Sequence, residues 1–137
     1  MTKPRFLAAV TAAALLAGGT GTALAQTSGD VTVTVGPRTV LNAGDTAPFD
    51  APGVRAVRRG KPIPSGYQLV GRKVSGGGSG VGAAIRFSCT GNKVLKTFGT
   101  VGSVGFSAPR TYEDHKSTIV QSILSGSASG TIYAVCR

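Results

Sequence analysis

The chain has no tryptophan, a single histidine (His115), two cysteines (Cys89 and Cys136) and five acidic residues in 137. Each scarcity closes a route to function. One histidine, two thiols and dispersed carboxylates supply no zinc cluster, and Asp45 and Asp50 lack EF-hand spacing. The only adjacent carboxylates are Glu113 and Asp114, so a two-carboxylate glycosidase pair has no evident source. No serine sits in a G-x-S-x-G elbow. The run Gly76–Gly80 lacks a following Lys-Ser/Thr and precedes a strand pattern, so it reads as a hairpin tip and not as a phosphate loop. Without tryptophan the preferred platform for a neutral sugar is missing, and only Tyr67, Tyr112 and Tyr133 remain, which argues against a neutral-glycan binder. No metal and no cofactor are implied, and the expected class is non-enzymatic. The one catalytic arrangement that can be drawn uses Asp114 and His115. Neighbours on an extended segment point to opposite faces, so Asp114 is badly placed to orient His115.

Long apolar runs are also scarce. The exception is Phe6–Ala17, preceded by Lys3 and Arg5 and followed by small residues leading to Ala23-Leu24-Ala25. That order of a basic start, a short apolar run and an A-x-A site predicts a signal peptide over 1–25, cleaved after Ala25. The run is too short to span a membrane; a buried N-terminal helix is the other reading. No cysteine follows the site to take a lipid, and no transmembrane anchor is expected. The mature product, 26–137, is expected to be extracellular and to fold as one domain. An oxidising compartment favours a Cys89–Cys136 disulfide.

The periodicity is strand-like. Val31, Val33 and Val35 alternate with threonines, and Ala83, Ile85, Phe87 and Cys89 share a face opposite Arg86 and Ser88. Ile132, Ala134 and Cys136 share another face. Strands are predicted at Val31–Val35, Tyr67–Ser75, Val81–Cys89, Lys93–Phe98, Val101–Ser107, Ser117–Leu124 and the C-terminus, with Gly91-Asn92 as a hairpin turn. About seven short strands argue for an antiparallel β-sandwich of Ig-like or Greek-key type, with a small barrel second. Segment 37–66 holds five prolines (Pro37, Pro48, Pro52, Pro62 and Pro64). Proline is tolerated at sheet edges, so loops and one or two edge strands are expected there.

Acidic charge is absent from one block. Between Ala51 and Tyr112 there is no Asp or Glu, and the same positions carry ten cations. Such a block attracts polyanions, and the candidate contacts are Arg55, Arg58, Arg59, Lys61, Arg72 and Lys73. Anionic polymers, wall components and lipid headgroups are the expected partners. No aromatic residues interleave with these cations, so no specific nucleic-acid motif is present. The plainer reading of the same block is solubility and a blunted sheet edge.

Val31–Val35 followed by Leu41-Asn42-Ala43-Gly44-Asp45-Thr46 resembles the opening strands of bacterial Ig-like sandwiches. Gly60-Lys61-Pro62-Ile63-Pro64-Ser65-Gly66-Tyr67 and the ending Gly130–Arg137 resemble small exported proteins of actinobacterial type. The resemblance implies export and an all-β fold, and it carries no site residues. The expected function is a secreted binding domain; the alternative is a secreted protease inhibitor using Lys61-Pro62-Ile63-Pro64.

Overall fold

A computed structural model of the chain describes residues 24–28 and 31–137. Most of the predicted signal segment, 1–23, lies outside the described residues. The strands are β1 (Leu24–Ser28), β2 (Val31–Leu41), β3 (Gln68–Gly77), β4 (Ser79–Ser88), β5 (Leu95–Gly102), β6 (Gly105–Ser107), β7 (Ser117–Ser125) and β8 (Ala128–Cys136). They form a five-stranded sheet in the order β1-β2-β3-β8-β5 and a three-stranded sheet in the order β4-β7-β6. Every pairing is antiparallel. The fold is the sandwich expected from the alternating patterns, and neither sheet closes into a barrel. The strand beyond the expected seven is β1. It spans the predicted cleavage point, and processing there would leave Gln26, Thr27 and Ser28 to pair with Val33, Thr32 and Val31.

The inner faces carry the main core. Val31, Val33 and Val35 of β2 face Ala83, Ile85 and Phe87 of β4, with Val70, Val74, Val120, Leu124, Ile132 and Ala134 packed among them. Cys89 and Cys136 are bonded, with Cα atoms 5.9 Å apart. The bond joins the residue after β4 to the end of β8, and so links the two sheets across the core.

Gly76–Gly80 does not tip a hairpin. It is a corner: β3 leaves the large sheet and continues as β4 in the small one. Opposite it, β7 passes into β8 through Gly126, whose N–H donates to the Gly78 carbonyl at 2.6 Å. Gly78, Gly80 and Gly126 all have positive φ (115°, 128° and 79°), a region that side chains with a Cβ rarely adopt. Gly91-Asn92 likewise joins strands of different sheets.

Segment 42–67 forms turns with one isolated bridge, Thr46↔Pro62. Val40 and Leu41 finish β2, whereas Phe49 and 54–57 lie outside any strand. This segment covers the outer face of the large sheet. Ala47, Phe49, Ala51, Val57 and Ile63 pack on Leu69 and Val135 as a second core. Phe49 stacks on Tyr133 with ring centroids 5.6 Å apart. It also lies over Gly99, where an added Cβ would fall 2.0 Å from the ring. Backbone bonds from Gly44 and Ala47 to Ile63 and Lys61 tie the two arms of the segment together. The cap thus covers the outer face of the large sheet around Leu69, Tyr133 and Val135, while Thr32, Lys73 and Val101 on that sheet are exposed.

Burial pushes the Tyr133 phenol above its ordinary pKa, since its charged form is poorly solvated beside Phe49. The sign follows from linkage. An acid with a raised folded pKa keeps its proton longer in the folded state, so its contribution is intact below the unfolded value of about 10 and is lost as pH rises above it. Tyr133→Phe should flatten the alkaline limb of a stability–pH curve above pH 10. An unchanged slope in the variant would place the alkaline loss at other groups.

Candidate functional site

The expected cationic contacts do not form one face. Arg55 and Arg58 lie together beside Asp50, around a small hollow. The Arg59 amide donates to Asp50 Oδ1 at 2.8 Å, and its side chain lines a separate shallow hollow with Thr100 and Gly102. Lys61 is exposed, with its backbone bonded to Ala47 and Arg58. Arg72 and Lys73 are neighbours on β3 and so point to opposite faces. Lys73 is exposed, and Arg72 is half-buried. The Lys61–Pro64 segment is pinned rather than projecting, with Ile63 buried between the arms of the cap.

A different set of cations converges. A groove of about 670 Å³ is lined by Arg55, Lys96, Arg110 and Arg137, together with Tyr67 and Tyr112. Four segments build it. The cap contributes 52–56, and a bulge in β5 between Leu95 and Thr97 inserts Lys96. The 110–113 stretch forms one wall. That wall is stapled to β5: Asp114 N–H donates to the Leu95 carbonyl at 2.9 Å, and Leu95 N–H to the His115 carbonyl at 2.8 Å. Asp114 holds a φ of 68° there, a left-handed conformation that Asp tolerates better than most residues. Arg137 is fixed by reciprocal backbone bonds with Val94 at 2.9 and 3.0 Å. Its guanidinium lies over the Tyr67 ring, 5.3 Å from the centroid. Tyr112 packs edge-on against Phe98 at 4.9 Å.

The charges in the groove are not equivalent. Lys96 Nζ is 2.5 Å from Asp114 Oδ1, which offsets its charge locally. Among the described residues, the guanidinium groups of Arg55, Arg110 and Arg137 have no carboxylate partner, and Glu113 is the one acid in the lining. These three arginines are exposed and keep their donors for solvent or a ligand.

Asp114 and His115 do not form a dyad. Asp114 is engaged with Lys96, while His115 Nδ1 lies 3.2 Å from the Glu113 carbonyl and the residue is exposed. Among the described residues no three of His, Cys, Asp and Glu gather as a metal site would need.

No family model, curated protein or solved structure matches this chain. The functional reading rests on the site's own chemistry. Sequence reasoning singles out Arg55 as a contact, counts Lys96 and Arg110 only among the ten cations of the acid-free block, and assigns no contact role to Arg137, Tyr67 or Tyr112. The available signal was slight: Arg110 follows the only proline outside the N-terminal half, and Arg137 follows a cysteine expected to be tied down.

Proposed function

We propose that this chain is a secreted, non-enzymatic β-domain that associates with anionic polymers of the cell envelope or its surroundings. The observation that carries the reading is the groove, in which three arginines without carboxylate partners among the described residues converge beside two tyrosines. Guanidinium forks suit carboxylate, sulfate and phosphate groups alike. A flanking tyrosine face or edge adds contact to whatever ring or chain links those groups. The groove is open, as a polymer running through it requires. Export, the disulfide and an extracellular setting belong together, because such bonds persist where the medium is oxidising.

Binding of this kind releases counterions and weakens with salt. Retention on heparin and on anionic vesicles should be strong at low salt. With three to four charges engaged, affinity should fall roughly 100-fold between 50 and 200 mM. Replacing Arg55, Arg110 and Arg137 together with Gln should lower the salt slope by about 3. Replacing Arg58, Arg59 and Lys61 together should lower it less, because those side chains are dispersed. Absence of retention even at low salt would end the proposal, and equal losses from the two triple variants would remove the groove from it.

A further inference from the structure

On the inner face of the large sheet, one position breaks the apolar pattern from both strands at once. Arg38 of β2 and Arg72 of β3 are direct partners in the antiparallel register. The pair above them is Val35↔Val74 and the pair two rungs below is Val40↔Val70. These valines belong to the inner core or pack against it. Like charges placed opposite each other across two strands destabilise the pair.

The arrangement is produced by a bulge. The register shifts between Val35 and Arg38, so one extra residue enters β2. Strict alternation from Val31, Val33 and Val35 would send Arg38 to the outer face. The bulge returns it to the inner face, beside Arg72. Bulges commonly re-aim side chains next to functional sites.

Both guanidinium groups then donate to carbonyls, that of Arg72 half-buried and that of Arg38 exposed. Arg72 Nε donates to the Gly36 carbonyl, inside the bulge, at 2.8 Å. Arg38 Nη2 donates to the Ser88 carbonyl, at the end of β4, at 3.2 Å. The pair therefore sits at the side of the sandwich, between the β2–β3 ladder and the edge strand β4. Arg72 Nη1 and Nη2 have no protein acceptor among the described residues, where the one ion pair is Lys96–Asp114. Burial first, and Arg38 second, lower the Arg72 pKa from its ordinary value, the direction expected of a cation with like charge beside it and no counter-charge.

We propose that Arg38 and Arg72 form a binding site for one tetrahedral oxyanion, phosphate or sulfate, bridged between their guanidinium groups. Two cations, each donating to one carbonyl, match the two negative charges of such an ion, and the free Nη donors supply charge-assisted hydrogen bonds. The oxyanion could be the free ion or a phosphate or sulfate group carried by a polymer. None of the groove-lining residues belongs to this site, and it does not depend on the groove.

The test is the thermal midpoint of the disulfide-intact chain titrated with sodium phosphate against sodium chloride at matched ionic strength. Phosphate should raise the midpoint saturably, by roughly 5 °C at tenfold excess over half-saturation. Arg38→Gln should abolish that rise. In chloride alone Arg38→Gln should be at least as stable as the parent, because the like-charge contact is gone. Arg86→Gln, which removes an equal charge from the outside of β4, should keep the full rise. Should Arg72→Gln fail to fold, Arg38→Gln still decides. A phosphate rise that survives in Arg38→Gln, or no saturable rise in the parent chain, overturns the site. Heparin replaces phosphate in a second arm. If Arg38→Gln abolishes the stabilisation by phosphate and also reduces that by heparin, polymer-borne groups reach the site. If it abolishes the phosphate effect alone, the site takes the free ion. Loss of the phosphate effect with polymer retention unchanged leaves the groove untouched.

Discussion

Replacing Cys89 and Cys136 together with alanine is expected to lower stability by about 4 kcal/mol, the loop-closure value for a ring of this length. The residues are 47 apart in sequence, so the reduced chain gains much freedom when unfolded. The folded state loses something too. Cys136 ends β8, where it pairs with Gln68 on one side and Leu95 on the other. Cys89 stands at the exit from β4, its N–H bonded to the Lys116 carbonyl. Without the bond, the two sheets at that end are held by packing, by the chain from 89 to 94, by the Gln68–Thr90 hydrogen bonds and by the backbone bonds of Leu95 with Asp114 and His115. A fall in thermal midpoint of roughly 15–25 °C follows from the size of the domain. The denaturant m-value should rise, because the unfolded chain without the ring exposes more surface. A loss under about 1 kcal/mol would mean that packing alone closes this end.

Phe49→Ala is expected to cost about 3 kcal/mol, the lower part of the range for removing a buried phenyl ring. The ring is 8% exposed and fills the space that Gly99 leaves open over β5. It stacks on Tyr133 and anchors the 42–67 cap to the sheet. The loss should be local as well as global. Three trypsin sites, Arg55, Arg58 and Arg59, lie in the cap (Lys61 is protected by Pro62), and the packed cap restrains their backbone. In Phe49→Ala, tryptic cleavage at these sites should accelerate by at least tenfold while far-ultraviolet dichroism keeps its β signature. Cleavage at the same rate in parent and variant would show that the cap holds without the ring. Gly99→Ala tests the other side of the contact: its new Cβ would meet the ring edge at 2.0 Å, so overpacking should loosen the cap from below.

The alternation in Val31–Val35, Ala83–Cys89 and Ile132–Cys136 placed those residues on buried faces without further information, because a strand has a period of two and one face of each met the core. The strand predicted at Ser117–Leu124 is β7, which runs one residue further to Ser125. The cap was harder to read. Its apolar residues, Ala47, Phe49, Ala51, Val57 and Ile63, are unevenly spaced among prolines and follow no period, since a packed turn segment has none. Edge strands were expected where turns formed. Glycines at 76–80 read as a hairpin tip because positive φ suits tips and corners equally; only the pairing of β3 with β8, and of β4 with β7, distinguishes them. The groove was least legible. Arg55, Lys96, Arg110 and Arg137 come from four segments, and density along the chain pointed instead to Arg58, Arg59 and Lys61. Arg72 was singled out for its charge alone. Its partner Arg38 lies outside the acid-free block, and only the bulge brings the two together.

The corner has a consequence for how the fold excludes its competitors. Pairing of β3 with β8 ends at Gly76↔Ala128, pairing of β4 with β7 begins at Ser79↔Ser125, and Gly78 and Gly126 meet between them. The register runs through the bend without a break, so both sheets share one ladder. The first register shift beyond the corner is the bulge between Val81 and Ala84, so a one-residue slip at the corner is shared by both sheets as far as that bulge. It would turn the apolar faces of four strands toward water together there. A fold misaligned at the corner therefore incurs its penalty twice, and a single set of pairings fixes the alignment of both layers at that end.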